Sequence, residues 1–356
     1  MDTTRKTKNR TKKMSTETKN EVKRDDKKIV PFKIQNGHEL ANAAPERIPT
    51  LVDGLLLEIG VSMLCAKPKT GKSTLAMQLA VAVAESGAFL GKSTLGGDVL
   101  FLALEGPLGV IQQNLKKLGH TGKHGTIHVV HGHTAFDGEL GLKRLEETIR
   151  SVPKLRLIVV DPASKLLRLL DADKAENVGP AIEKLELIAK NHKLHLMFTV
   201  HAKKKLSDDA GDAAIGSTSF RGGTDTNIFM VKQGEQRVMS TEQRWGDSME
   251  PTLLIHDKKT NSMHLGTTVE AEEEARHEGK ERKTVERIEQ QILDTLCAEE
   301  NPTQGELLKA VTGKNTMKLK VLEQMVSSGR IVAEKDGPAK RYRAVVIQDE
   351  ATKGAA

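Results

Sequence analysis

The chain has 356 residues and a formal net charge of +7, a length that suits one large domain with a small accessory one. Its two cysteines, Cys65 and Cys297, lie far apart, which excludes a disulfide framework or a cysteine zinc site and points to a reducing, cytoplasmic setting. No apolar run is long enough to span a bilayer, and nothing near the N-terminus resembles the apolar core of a signal peptide, so a soluble protein is expected.

Much of the charge sits at the start. Residues 1–28 hold eleven Lys/Arg against five Asp/Glu, with too few apolar groups to offset the entropy of folding, so residues 1–30 are expected to form a disordered basic tail with weak attraction to nucleic-acid phosphates. Residues 31–58 read as a lead-in segment packing on the main domain. From Val61 onward, apolar runs at Val61–Cys65, Val99–Leu104, Ile127–Val130, Leu155–Val160, Leu194–Val200 and Asn227–Val231 alternate with helical patterns around Thr74–Glu85, Leu142–Ser151 and Glu176–Lys190. Such alternation predicts an α/β domain with a mostly parallel sheet covered on both faces. Two more runs, Arg237–Thr241 and Thr252–His256, suggest antiparallel strands at one edge. The charged stretch 268–284, TVEAEEEARHEGKERKT, reads as a linker, partly helical at most.

The first chemistry-bearing segment is Ala66-Lys67-Pro68-Lys69-Thr70-Gly71-Lys72-Ser73. It fits G-x-x-x-x-G-K-[ST] except that alanine replaces the first glycine, a position that mainly has to be small. It follows a strand and precedes a helix opening at Thr74, as a phosphate-binding loop requires. Gly71 lets backbone N–H groups turn inward, Lys72 neutralises phosphate oxygens, Ser73 offers a magnesium ligand, and the helix N-terminus favours anions. The expected ligands are ATP and Mg2+. Two acids end strands nearby: Asp161, placed to hold magnesium, and Glu105, placed as the general base for the attacking water. A solvated acid at a strand end is the plainer reading of either alone.

This order of elements resembles the RecA-like P-loop ATPases, in particular the AAA_25 or RepA-type branch near the DnaB-type hexameric helicases, over about residues 45–267. The resemblance implies that the catalytic glutamate follows the strand after the loop helix, as FLALEG and Glu105 do. It also implies that the strand-end histidine of TVHAKKK, His201, senses the γ-phosphate, and that Gly216, Ser217, Arg221 and Asp225 occupy family positions. A finger resembling K-x-R-x-G is matched by EQRWGDS, where Arg244 and Gly246 fit but Glu242 stands in place of lysine. Arginine suits a trans contact to phosphate because its charge is permanent and its fork is planar. The His131–His133 pair, HGH, lacks a third ligand at suitable spacing and reads as a loop.

Beyond the linker, residues 285–346 read as a compact unit, followed by a disordered tail at 347–356. Thr303 and Glu306 have capping-box spacing, and the helix they open should stop near Gly313. Asn315 is expected to cap a second helix with Leu319, Leu322 and Val326 on its apolar face and Lys318, Gln324 and Ser327 exposed. Two strands around Asp336-Gly337 form a hairpin. Helix, turn, helix, hairpin is similar to a winged helix. Residues 314–343 carry eight Lys/Arg and three Asp/Glu, so Thr316, Lys318 and Lys320 are expected to begin a recognition helix, with Lys340, Arg341 and Arg343 touching phosphates, while a protein-contact role for the unit stays open.

The functional expectation is a hexameric ATP-driven DNA helicase of a plasmid, phage or other mobile element, with single-stranded DNA through the ring and duplex DNA at the C-terminal unit. A RecA-like recombination mediator without unwinding activity and an ATP-gated DNA-binding regulator stay open. With one tryptophan and one tyrosine, base stacking is not expected to dominate single-strand binding.

Overall fold

The computed structural model describes residues 32–132, 138–167, 175–202 and 218–345. The chain divides into a short first unit ending at Arg47 and a second running from Ile48 onward. In the first, helix α1 (Gly37–Asn42) is capped by Asn36, whose side chain accepts from the His38 N–H, and it buries none of its residues.

The second unit opens with the short paired strands β1 (Thr50–Val52) and β2 (Leu56–Leu57). They are followed by β3 (Gly60–Ala66), α2 (Lys72–Ala84), the small hairpin β4 (Ala88–Phe89) and β5 (Lys92–Ser93), β6 (Asp98–Ala103), α3 (Leu108–Lys117), β7 (Ile127–His131), α4 (Gly138–Arg150) and β8 (Leu155–Asp161). Then come α5 (Ala163–Leu167), α6 (Ala175–His192), β9 (His195–His201), α7 (Thr218–Gly223), β10 (Thr226–Gln233), β11 (Gln236–Gln243), β12 (Thr252–Asp257) and β13 (Ser262–Thr268). Nine strands form one sheet in the order β13-β12-β11-β10-β3-β9-β8-β6-β7. The six strands from β10 to β7 run parallel, and β11, β12 and β13 add an antiparallel edge.

The two faces of the sheet separate the apolar residues by their period of two. Along β3, Leu64 and Ala66 enter the core beneath α2, while Val61, Met63 and Cys65 enter the one beneath α4 and α6. Because both faces are covered, stretches such as Leu157–Val160 of β8 are continuous hydrophobic runs rather than alternating ones, which makes them readable in the sequence.

The stretch 268–284 differs from the expected linker. After Thr268, which ends β13 and caps the helix, it lies within α8 (Val269–Ala298), one continuous helix of 30 residues. Glu, Ala, Lys and Arg dominate it, and these are strong helix formers whatever their charge. Its last turns carry Ile288 and Ile292 into a separate apolar core with Leu307, Val321, Leu322, Met325, Ile331 and Tyr342. Those residues come from α9 (Gln304–Ala310), α10 (Asn315–Ser327) and the hairpin β14 (Ile331–Asp336) and β15 (Ala339–Ala344).

The capping box at Thr303 and Glu306 is formed in both directions. Asn315 is not the cap of α10: it is the first helical residue, and Lys314 stands at the N-cap without a side-chain bond. Among the described residues no helix is long and apolar enough to cross a membrane.

Candidate active site

Parallel strands place their C-terminal ends along one edge, and that edge assembles the chemistry. The loop from Ala66 to Lys72 leaves β3 there and enters α2. Lys69 and Gly71 take left-handed φ values of 63° and 109°. At Gly71 the left-handed φ strains any residue with a side chain, and a Cβ there would also have to displace the flexible end of Met263, whose Cε would lie 2.6 Å away. Ala66 is buried at the strand end, and its carbonyl accepts from the Ala202 N–H at 3.1 Å, so the replaced glycine is accommodated within the sheet. Lys67, Pro68 and Lys69 are exposed on the loop, whereas Thr70 is buried and donates from Oγ1 to the Lys67 carbonyl at 2.8 Å. The first helical bond runs from the Leu75 N–H to the Gly71 carbonyl at 3.0 Å. The N–H groups of Lys72, Ser73 and Thr74 therefore precede the helix's own acceptors, as an anion site needs.

Lys72 is only 5 % exposed. Its Nζ donates to the carbonyls of Ala66 at 3.2 Å and Lys67 at 3.4 Å, and lies 3.2 Å from His201 Nδ1. Burial lowers its pKa, opposed by the charges of Asp161, Cys65 and Glu105. His201 ends β9, next to β3. Burial and then the Lys72 charge lower its pKa, with Glu105 and Asp161 pulling the other way, so a neutral imidazole accepts from the ammonium.

Asp161 ends β8, half-buried, and its Oδ1 accepts from Thr199 Oγ1 at 2.6 Å. Glu105 stands just past β6 with its side chain 51 % exposed and 3.9 Å from Lys165 Nζ. One cavity of about 330 Å³ is lined by Lys72, Ser73, Glu105, Asp161 and His201 together. Its deeper wall is apolar, made of Met77, Phe101 and Ile111, with Asn114 at the rim of α3.

A fold and site of this kind define a P-loop ATPase: a mostly parallel sheet, a glycine-turned loop into a helix N-terminus, a buried lysine, and two carboxylates at neighbouring strand ends. Residues 31–207 match the AAA_25 family, an AAA domain, and the chain carries a RecA-like P-loop ATPase domain of that group. None of the curated proteins is similar enough to the chain to register as a match.

Arg244 is not brought to this cavity. Strand β10 runs parallel to β3 and β11 returns antiparallel, so Arg244, just past the end of β11, stands at the opposite end of the sheet. Its N–H donates to the Asp225 carbonyl at 2.9 Å, and its guanidinium bonds the Gly222 carbonyl. Glu242, in the place of the expected lysine, forms a two-pronged pair with Arg221, whose Nε lies 2.9 Å from Oε2. Asp225 accepts from the Val61 N–H at 2.9 Å and from Trp245 Nε1 at 3.1 Å. Gly216, Ser217 and the three lysines after Ala202 lie outside the described residues, as do His133 and both expected tails. His131 has its Nε2 2.9 Å from the Gly106 carbonyl.

Three contributors were not visible in the sequence. Arg237 opens β11 at the phosphate end and donates from Nε to the Thr70 carbonyl at 2.9 Å. Met263 of β13 packs on Gly71. Thr199 holds Asp161. Only strand register places these side chains, and no local motif announces it.

In the C-terminal unit one expected contact is corrected. Lys318 does not face a groove: it is 6 % exposed, and its Nζ donates to the carbonyls of Leu308 at 2.5 Å and Val311 at 3.1 Å, closing the end of α9. The buried face of α10 comprises Lys318, Val321, Leu322 and Met325, so Leu319 and Val326 are only partly buried. Lys320 and Lys340 are exposed. Arg341 pairs with Asp336 at 2.7 Å and with the Asn301 carbonyl, and Arg343 pairs with Glu334 at 2.9 Å. Such exposed pairs are weak enough to exchange for phosphate.

Proposed function

We propose that the chain is an ATP-driven nucleic-acid motor, in its most specific form a RepA-type hexameric replicative helicase of a plasmid, phage or other mobile element. The observation that carries this reading is the split of the machinery: Lys72, Asp161, Glu105 and His201 share one cavity, while Arg244 stands at the far end of the sheet. An arginine so placed serves a neighbouring subunit's phosphates rather than its own, which requires an assembly.

The residues fit a magnesium nucleotide. The turn at Gly71 takes a left-handed φ that favours glycine, the leading N–H groups of α2 suit an anion, and Ser73 and Asp161 offer the hard oxygen donors magnesium takes. A bound magnesium nucleotide supplies a phosphoryl group whose charge is partly neutralised by the metal. Lys72, released from the Ala66 and Lys67 carbonyls, meets phosphate oxygens with its ammonium. Glu105, exposed and at the rim, orients a water and takes its proton on a carboxylate oxygen. His201, bonded to Lys72 in this structure, changes partner when the ammonium moves, and so carries the state of the loop to the end of β9.

The C-terminal unit, with three helices and a hairpin around its own core, is similar to a winged helix, and we assign it to duplex DNA through Lys320, Lys340, Arg341 and Arg343. The deciding experiment is ATP hydrolysis with and without single-stranded DNA, followed by strand displacement on a forked duplex. Stimulation with displacement supports the motor. Stimulation without displacement favours a mediator that assembles on DNA, and absence of both removes the motor reading.

A further inference from the structure

The end of the sheet away from the phosphate loop carries a second cavity, of about 550 Å³, a volume ordinary for a small-molecule site. The β1–β2 turn and the segment after β11 enclose it, and Ile48, Leu57 and Met249 give it apolar walls. Trp245 forms one side. The indole is 59 % exposed, yet its Nε1 donates to Asp225 Oδ1 at 3.1 Å, and Asp225 accepts in turn from the Val61 N–H at the start of β3. A flat aromatic ring is thus fixed in advance, and little conformational freedom is lost when a ligand covers it. The margins are braced as well: Gln243 Nε2 donates to the Gly54 carbonyl at 3.2 Å and to the Asp247 carbonyl at 2.7 Å.

Two opposite charges line this cavity and do not meet. Lys92 is half-buried, with its Nζ beside Gly54, where an added Cβ would come 3.6 Å from it. Among the described residues neither the Lys92 ammonium nor the exposed Asp247 carboxylate has a hydrogen bond or an ion pair. A half-buried ammonium without an acceptor gains from an anion placed on it. We propose that the cavity binds a nucleoside monophosphate with an amino-bearing base: the ring stacks on Trp245, the exocyclic amine donates to Asp247, and the phosphate meets Lys92. Stacking on an aromatic side chain is the larger contribution, because every base offers a π-face. One unpaired ammonium matches one phosphate, whereas a nucleic-acid strand draws its affinity from several cations along the backbone. Arg244, next in the chain, turns its guanidinium to the Gly222 carbonyl and does not line the cavity.

Trp245 is the only tryptophan in the chain, so its emission reports this cavity directly. Full-length protein is titrated with adenosine monophosphate, and a saturable fall in emission is expected as the base stacks on the indole; calorimetry measures the affinity. Lys92→Ala is expected to weaken binding about tenfold or more, the loss of a charge-assisted contact, with Lys92→Arg retaining most of it. Trp245→Ala, read by calorimetry, should also cost about tenfold or more, and Trp245→Phe less, since a phenyl ring still stacks. That pair decides the matter if Lys92→Ala fails to fold. Ribose 5-phosphate, which has no base, should leave emission unchanged. Lys72→Ala should be quenched as the wild type is, which keeps the phosphate loop out of the signal.

Emission unchanged by adenosine monophosphate would overturn the proposal, as would equal affinity in Lys92→Ala or in Trp245→Ala. Quenching lost in Lys72→Ala would move the ligand to the phosphate loop and overturn it too. Single strands of deoxyadenylate that bind more tightly with each added nucleotide would replace the free nucleotide by nucleic acid, and binding of phenylalanine instead of the nucleotide would replace it by an amino acid. None of these measurements uses ATP hydrolysis or strand displacement. The motor reading therefore stands or falls separately from this site.

Discussion

Lowering the pH should destabilise the ATPase core through one residue outside the active site, His195. Its imidazole is fully buried at the start of β9, with Nε2 2.8 Å from Ser62 Oγ and, among the described residues, no hydrogen bond to Nδ1. Burial lowers its pKa to about 4; the neighbouring Leu57 backbone and the Asp225 charge favour the imidazolium but do not prevail. The unfolded chain titrates near 6.5, so between pH 6.5 and 4 the unfolded state binds the extra proton and stability falls with pH. The slope is about 1.4 kcal/mol per pH unit, and the total about 3 kcal/mol, a large share of a typical domain's stability. Above pH 6.5 both states are neutral and the effect vanishes.

His201 is lowered as well and loses stability in a window below the same ordinary value, so the informative quantity is the difference between wild type and His195→Leu. Glu85 titrates lower. Burial would raise it, but hydrogen bonds from the Thr121 side chain, the Gly122 and Thr121 N–H groups and His120 hold it near 2, so its contribution is lost only as pH falls below the usual carboxylate range. Urea unfolding followed by Trp245 emission at pH 7, 6, 5 and 4.5 measures the difference. Equal pH slopes for wild type and His195→Leu would refute the reasoning.

Glu105→Gln is expected to keep nucleotide binding and to lower ATP turnover by about a hundredfold or more, since the amide cannot take the water's proton; steady-state hydrolysis and binding of a fluorescent ADP analogue check this. Arg237→Ala should weaken ATP binding about tenfold by releasing the Thr70 carbonyl, an effect of the size of a charge-assisted hydrogen bond, and Arg237→Lys should recover part of it; titration calorimetry reads the change. Lys318→Ala strands two carbonyls at the end of α9 and should cost the C-terminal unit about 1–3 kcal/mol. Lys320→Ala should leave thermal stability alone and lower duplex DNA affinity with a shallower salt dependence, so melting curves and anisotropy across a salt series separate the two lysines.

What was legible in the sequence follows from what local chemistry can encode. The loop, Asp161 and His201 sit at ends of uninterrupted apolar strands, and parallel strands necessarily bring such ends to one edge. The third antiparallel strand, Ser262–Thr268, was missed because it carries only Met263 and Leu265 as large apolar residues, against a polar exposed face. Helix α3 was missed because Ile111 is its only fully buried residue. Lys318 was misplaced by the phase of a helix: one position is about 100°, and a face drawn through Leu319 rather than Val321 turns a buried cation outward. Its long stem and two carbonyl partners satisfy the buried charge, a possibility a hydropathy pattern does not contain.

The charged helix changes how the two cores are connected. Met263 of β13 exchanges two hydrogen bonds with Gln78 of α2, donating N–H to Oε1 at 2.7 Å and accepting from Nε2 at 2.8 Å. Strand β13 then passes into α8 without a loop: Thr268 caps the helix by accepting from the Ala271 N–H, and the Val269 N–H is held by the Pro251 carbonyl at 2.8 Å. A flexible segment of this length would let the C-terminal unit sample many orientations. A helix of 30 residues instead extends about 45 Å at 1.5 Å per residue and transmits direction along its length. Its base is bonded, through one strand, to the helix that opens at Lys72. The phosphate loop and the basic hairpin are therefore ends of one chain of regular structure, in which the only side chain packed on Gly71 from β13, that of Met263, lies six residues before the start of the rod.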